Sequence, residues 1–280
     1  MKIRDYRNFF LETLTPVYDS TEAESFFYLI LEDFRKLKRV DLALHPDLEF
    51  SSDELVRWNE VMQQLKNEIP VQYLLGKTSF FGLEFEVNEN VLIPRPETEE
   101  LVDWILSDAL KTKELRILDI GTGSGCIAIS LAKNLPNAKV SAIDVSEKAL
   151  ETAKRNATYN KVNINFIERN ILETTDLQEE FDIIVSNPPY VRNLEKHEIR
   201  KNVLDHEPHL ALFVDDNDAL VFYRKIAGLA KKNLSESGKL YFEINQYLGK
   251  EMVGLLEQDF KKVELRKDIY GNDRMTKAEK

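Results

Sequence analysis

The chain has 280 residues, 43% hydrophobic and 10% aromatic, enough to bury the core of one large or two modest domains. Its formal net charge of −11 argues against a protein whose main task is gripping a phosphate backbone. A single cysteine excludes an intramolecular disulfide and suits a reducing cytosol, and no stretch is apolar enough to span a membrane.

The opening residues 1–7 are charged throughout, unlike a secretory signal, so the expected location is the cytoplasm. Residues 1–75 carry apolar residues at helical spacing, with Phe9, Phe10 and Leu14, then Phe26, Phe27, Leu29, Ile30 and Phe34, as expected buried faces. Ser20, and Ser51 or Ser52 with Glu54 in the following turn, are candidate N-caps. This predicts a small helical bundle as a first domain. Residues 78–82 and 83–87 then alternate at period two and predict a β-hairpin within a connecting segment, 76–95. Phe80 and Phe81 suit either a substrate entrance or a packing face.

From residue 96 to the end, helix and strand patterns alternate. Helices are expected at 97–110, 126–133 and 218–234, and strands at 115–120, 139–144, 164–168, 181–186 and 238–244. That alternation predicts an α/β fold, a doubly wound sheet with helices on both faces. The strand at 115–120 ends in Asp119 and runs into Gly121-Thr122-Gly123-Ser124-Gly125, where a ligand can approach bare backbone at a helix N-terminus. Asp144, closing the next strand, is placed to accept both hydroxyls of a ribose. The dinucleotide fingerprint needs a further glycine beyond Gly125, where Cys126 and Ile127 stand. Asp119 would also repel a pyrophosphate but suits a ligand with an ammonium and a sulfonium. The loop therefore predicts S-adenosylmethionine rather than NAD.

After the apolar strand 181–186 come Asn187, Pro188, Pro189 and Tyr190. The two prolines stop the ladder and stiffen an extended loop at the carboxyl end of a central strand. An amide oxygen, prolyl carbonyls and an aromatic face suit a planar –NH2 group. The roles expected are substrate binding for Asn187, Pro188, Pro189 and Tyr190, with Asn187, Pro188 and Tyr190 also catalytic.

Asp119 to Gly125, Asp144 and Asn187 to Tyr190 together resemble the motifs of class I S-adenosylmethionine-dependent methyltransferases acting on planar nitrogens. The stretch Leu92-Ile-Pro94-Arg95-Pro96-Glu97-Thr98-Glu99 further resembles the signature of the HemK/PrmC family. Residues 70–76, Glu207-Pro208 and residues 268–274 are similar to stretches of that family in the same order. The resemblance implies a seven-stranded Rossmann-like methyltransferase domain, 96–280, behind the helical substrate-recognition domain, 1–75. It implies methylation of the glutamine amide in the Gly-Gly-Gln loop of class 1 peptide chain release factors. It also places Asn170 and Ile171, after the third strand, beside the adenine, and implies that Asn187 touches the cofactor too. A monomer without membrane or nucleic-acid contacts is the expectation. The rival reading is methylation of an exocyclic amine of adenine or guanine, a group with the same planar geometry.

Cys126, inside an apolar helical turn without a basic neighbour, reads as buried filler. His197, His206 and His209, with Glu198 and Glu207, match no zinc spacing, and Pro208 breaks any helix that would align them, so no metal is expected. Residues 197–209 read instead as a mobile, charged loop closing over the substrate. Lys231-Lys232 and Lys261-Lys262 read as solvated helix ends and strand edges.

Overall fold

The computed structural model describes residues 1–109 and 114–280. It divides into two compact units, Met1–Gly76 with Lys201–His206, and Lys77–Arg200 with Glu207–Lys280.

The first unit is helical, with α1 (Ile3–Leu14), α2 (Ser20–Arg35), α3 (Arg39–Leu44), α4 (Ser52–Lys66) and α5 (Val71–Leu75). Trp58 of α4 sits at its centre, fully buried, with the rings of Tyr6, Phe10, Phe27 and Phe50 at centroid distances of 5.0–6.1 Å. Aromatic edges and faces at that spacing attract one another beyond simple burial. Ser51 caps α4 through a reciprocal pair, Glu54 N to Ser51 Oγ at 3.3 Å and Ser51 N to Glu54 Oε2 at 2.8 Å. At α2 the cap is Asp19 rather than Ser20. Its carboxylate oxygen Oδ1 accepts from the backbone N–H groups of Thr21 and Glu22, both at 2.8 Å, and so meets two orphan donors. Phe9 and Leu29, expected to be buried, are 45% and 46% exposed. Their neighbours Phe10 and Ile30 take the buried face, because adjacent helical residues point about 100° apart.

The second unit opens with the hairpin β1 (Lys77–Phe80) and β2 (Leu83–Glu86), turning through Phe81 and Gly82, both at positive φ. Phe80 and Phe85 are buried in this unit's core, and the Phe81 N–H donates to Glu99 Oε1 at 2.8 Å, so the aromatic pair is a packing feature and the hairpin is part of the unit. Then come α6 (Pro96–Asp108), β3 (Arg116–Ile120), α7 (Cys126–Asn134), β4 (Lys139–Asp144), α8 (Glu147–Tyr159), β5 (Asn165–Glu168) and β6 (Phe181–Ser186). Leu110, the expected end of the helix at 97–110, lies outside the described residues.

The segment expected as a mobile loop is built of short elements, β7 (Val191–Arg192), a 3-10 turn at Asn193–Glu198, α9 (Lys201–His206), α10 (His209–Leu212) and β8 (Phe213–Val214). Side-chain ties account for the order. Arg192 pairs with buried Glu195, whose Oε2 also accepts from Asn245 Nδ2 at 2.9 Å. The chain ends with α11 (Val221–Asn233), β9 (Leu234–Glu243), α12 (Gly249–Leu256), β10 (Lys262–Lys267) and β11 (Asp273–Glu279).

The seven-stranded sheet runs β10-β11-β9-β6-β3-β4-β5. Strands β3, β4, β5, β6 and β9 are parallel, and β11 and β10 append an antiparallel edge. Alternate residues feed two cores. Ile117, Ile183 and Tyr241 face α6 and α7, whereas Leu118, Ile184, Leu240 and Phe242 face α11 and α12. Burial on both faces explains why these strands read as continuous apolar runs. Strand order reverses beside β3, where β4 leaves to one side and β6 to the other, and such a switch point opens a crevice at the strands' carboxyl ends.

Candidate active site

A cavity lies at that crevice, lined from four directions. The strand ends contribute Ile120 to Ser124, Ile143 to Ser146, Arg169 to Ile171, and Ser186 to Pro189. The segment ahead of α6 adds Leu92, Pro94 and Arg95, α6 itself adds Thr98, α11 adds Phe222 and Ile226, and α10 with its N-cap adds Pro208, Leu210 and Ala211.

The glycine loop owes its shape to positive φ at Gly121, Gly123 and Gly125. Ile143 O accepts from the N–H groups of Gly121 and Thr122, at 2.8 and 3.0 Å, which fastens the loop to β4. Gly123 donates to Asp144 Oδ2 at 2.8 Å, and Ser146 N to Oδ1 at 2.9 Å. Asp144 thus holds the loop, and each of its oxygens keeps a second lone pair. Gly125 has a different task. A Cβ there would come within 2.9 Å of Ile129 and 3.2 Å of Ala153, so its hydrogen lets α7 and α8 pack, and it does not line the cavity.

Asp119 is fully buried behind the loop, with Oδ2 accepting from Thr122 Oγ1 at 2.6 Å. Burial pushes its pKa up to about 7, against the Thr122 hydroxyl. Its Oδ1 and the buried Ser124 Oγ have no hydrogen-bond partner among the described residues. Unmet acceptors beside glycines and a helix N-terminus fit a ligand bearing N–H donors and positive charge. Asp144 offers acceptors for hydroxyls, and Ile171 an apolar face, so the donor set fits S-adenosylmethionine. Asp119 lies off the cavity lining, behind Thr122. Asn170 lines the cavity while its Oδ1 accepts from Leu172 N at 3.0 Å.

The Asn187 loop meets the glycine loop directly. Ser186 Oγ donates to Ile120 O at 2.6 Å, and a Cβ on Gly121 would stand 3.9 Å from the Asn187 backbone oxygen. Asn187 Nδ2 donates to Thr98 Oγ1 at 3.4 Å, and Thr98 Oγ1 donates to Glu243 Oε2 at 2.6 Å. Tyr190 departs from its expected place. Its ring packs against the core shared with α11, its hydroxyl donates to Glu243 Oε1 at 3.1 Å, and it does not line the cavity. The carboxylate at the end of β9 thus ties Tyr190, and with it the far end of the loop, to the sheet.

Glu243, Thr98, Arg95 and Glu207 were not singled out as site residues in the sequence. Glu207 is buried and accepts from Arg95 Nη2 at 2.6 Å and from Ile93 N at 3.1 Å, which ties the start of α10 to the segment ahead of α6. The one available signal for Glu243 is an acid inside the apolar strand Leu240-Tyr-Phe-Glu-Ile244. Cys126 is buried at the cavity wall, and burial raises its thiol pKa to about 12, away from a reactive thiolate. The histidines bond elsewhere, His197 Nδ1 at 2.9 Å from Leu194 O and His206 Nε2 at 3.1 Å from Asn67 O, while His209 packs edge-on to Phe213. No group among the described residues could hold a metal ion.

Residues 8–76 match the PrmC N-terminal domain family and residues 102–210 the Methyltransferase small domain family. The chain is 66% identical to a release factor glutamine methyltransferase of Flavobacterium psychrophilum, over 99% of each chain. It is 44% identical to one of Bacteroides thetaiotaomicron, over 95% of this chain and 96% of that one. Among solved structures, a methyltransferase from Pyrococcus furiosus shares the fold, with TM-score 0.52 and 20% identity over 79% of this chain and 98% of that one. A 16S rRNA methyltransferase of Thermus thermophilus, solved with AdoMet and guanosine, has TM-score 0.54 and 19% identity over 73% of this chain and 49% of that one.

Proposed function

Because the chain belongs to the release factor glutamine methyltransferase family, we infer that it methylates the side-chain amide nitrogen of the glutamine in the Gly-Gly-Gln motif of class 1 peptide chain release factors. S-adenosylmethionine, when bound, supplies a methyl group on a cationic sulfur. The observation that carries the reading is the approach of the Asn187 loop to the glycine loop within one cavity.

An amide nitrogen is a poor nucleophile, since its lone pair is delocalised into the carbonyl. Holding the –NH2 at attack distance, turned toward the methyl, is therefore the main catalytic task. Asn187 Oδ1 and the Pro188 carbonyl are the acceptors for its two N–H groups. Those hydrogen bonds strengthen as positive charge develops on nitrogen, which lowers the barrier. The proton leaves to water afterwards. Asp144 binds the ribose hydroxyls, Asp119 acts through Thr122 and its own unmet oxygen on the cationic end, and Asn170 and Ile171 flank the adenine.

The test is mass spectrometry of purified release factor after incubation with the chain and S-adenosylmethionine. One methyl on the Gly-Gly-Gln glutamine is expected, with none on DNA, tRNA or rRNA. Methyl uptake by nucleic acid alone would replace this reading with the rival one, against which the negative charge and the relatives already weigh.

The helical unit supplies the partner contacts that a pocket sized for one side chain cannot. Its separate core, centred on Trp58, supports treating it as a recognition domain. A variant lacking residues 1–75 is expected to bind cofactor in calorimetry yet to transfer no methyl to release factor. Undiminished transfer would reassign partner recognition to the second unit. A cytoplasmic monomer is the setting this reading implies, and no helix among the described residues is long and apolar enough to cross a membrane.

A further inference from the structure

We propose that Thr98 and Glu243 are positioning residues that dictate which way the Asn187 amide faces, and so whether an acceptor or a donor meets the substrate –NH2. This rests on the methyl-transfer reading of the same cavity.

Thr98 Oγ1 carries one proton, and donates it in a hydrogen bond to Glu243 Oε2, 2.6 Å away. What remains on that oxygen are lone pairs, which can only accept. The Asn187 atom facing it at 3.4 Å must therefore be the nitrogen, and Oδ1 is turned away from Thr98, free to receive a substrate N–H. With the amide reversed, two oxygens would face each other across Thr98 and the Asn187 –NH2 would confront the substrate –NH2. Both contacts leave polar groups unmet in a partly dry site, which is costly.

Glu243 is suited to enforce the order. It is buried at the end of β9, and its other oxygen, Oε1, accepts from Tyr190 at 3.1 Å. One carboxylate thus receives a donor from α6 and a donor from the far end of the Asn187–Tyr190 loop. Burial raises the Glu243 pKa, with a smaller push from Glu97. The Thr98 and Tyr190 hydroxyls and the positive field of Arg274, whose Nε donates to Asp268 Oδ2 at 3.1 Å, favour the carboxylate that accepts both donors. The Tyr223 hydroxyl donates to the Glu243 backbone oxygen at 3.1 Å, which fixes the residue from the α11 side.

The test compares Thr98→Val, Thr98→Ser, Glu243→Gln, Asn187→Ala and the double variant Thr98→Val/Asn187→Ala in the full chain. Thr98→Val keeps the shape but not the hydroxyl. It is expected to lower kcat for release factor by about 10- to 10²-fold, with cofactor affinity and release-factor KM within about 3-fold. Thr98→Ser should restore the rate. Glu243→Gln should lose a similar factor, because a glutamine can present –NH2 to Thr98 and release its proton. In the Asn187→Ala background, Thr98→Val should cost nothing further, since the group it orients is gone. Independently of any substrate, the Asn187 side-chain –NH2 signals in 15N spectra should shift on Thr98→Val.

Three results would each overturn the proposal, namely a parental kcat in Thr98→Val, losses that multiply in the double variant, or Asn187 signals that do not respond. If Thr98→Val does not fold, Glu243→Gln and Thr98→Ser carry the same comparison. A parental chain that puts no methyl on release factor would sink the functional reading instead, while the 15N signals still report on the Thr98 contact.

Discussion

Asp144→Ala is expected to weaken S-adenosylmethionine binding by about 10²- to 10⁴-fold. The figure follows from losing two charge-assisted hydrogen bonds to ribose hydroxyls, each contributing about 1.5–3 kcal/mol. The same substitution also strips the Gly123 and Ser146 N–H groups of their acceptors, so the loop that meets the ligand loses one tether to β4 and keeps those to Ile143 O. Asp144→Asn separates the effects, since it keeps one oxygen of the right shape and should fall between parent and alanine. Gly123→Val attacks the loop from the other side. Its φ of +55° is strained for a β-branched residue, and the added methyls would stand in the cavity lining. Calorimetry on the three variants checks this, and affinities equal to the parent's would move the cofactor away from β3 and β4.

The legibility of these features in the sequence depended on how local their causes are. The glycine loop could be read because positive φ selects glycine at each turn position, and the Asn187 loop because two prolines leave the chain few conformations. The parallel strands could be read because both faces are buried and their runs are apolar throughout. What escaped depends on distant pairing. Thr98 and Glu243 are 145 residues apart, and Arg95 and Glu207 are 112 apart, so nothing near either partner announces the other. The same holds for Tyr190, whose ring was free to stack on a substrate until Glu243, 53 residues on, claimed its hydroxyl. Asp19 displaced Ser20 as a cap because both residue types suit the position, and only the geometry of the turn decides. The antiparallel edge of β10 and β11, rich in lysine and glutamate, carries charges that hide a strand from an apolar pattern.

Replacing Asn187 by alanine should lower the methyl-transfer rate by at least about 10²-fold, the usual loss for one preorganised electrostatic contact, while cofactor affinity falls only modestly. The separation is expected because the side chain removed faces Thr98 and the substrate position, whereas the loop it leaves is held without it. Ser186 bonds Ile120 O, and Asn245 Nδ2 donates to Tyr190 O at 3.0 Å. The prolines and the Tyr190–Glu243 bond stay, so the pocket should keep its shape. Asn187→Asp is the finer experiment. It restores an acceptor of the same size but cannot donate to Thr98, whose proton already belongs to Glu243, and it adds a negative charge to a pocket built around a cationic sulfur. Stronger cofactor binding with a rate no better than alanine's is the expected outcome, since attraction felt equally before and during transfer does not speed the chemical step. Single-turnover kinetics at saturating release factor and cofactor make the comparison. A parental rate in Asn187→Ala under those conditions would show the Asn187 side chain to be scaffold, and the acceptor for the glutamine N–H would then have to be the Pro188 carbonyl alone.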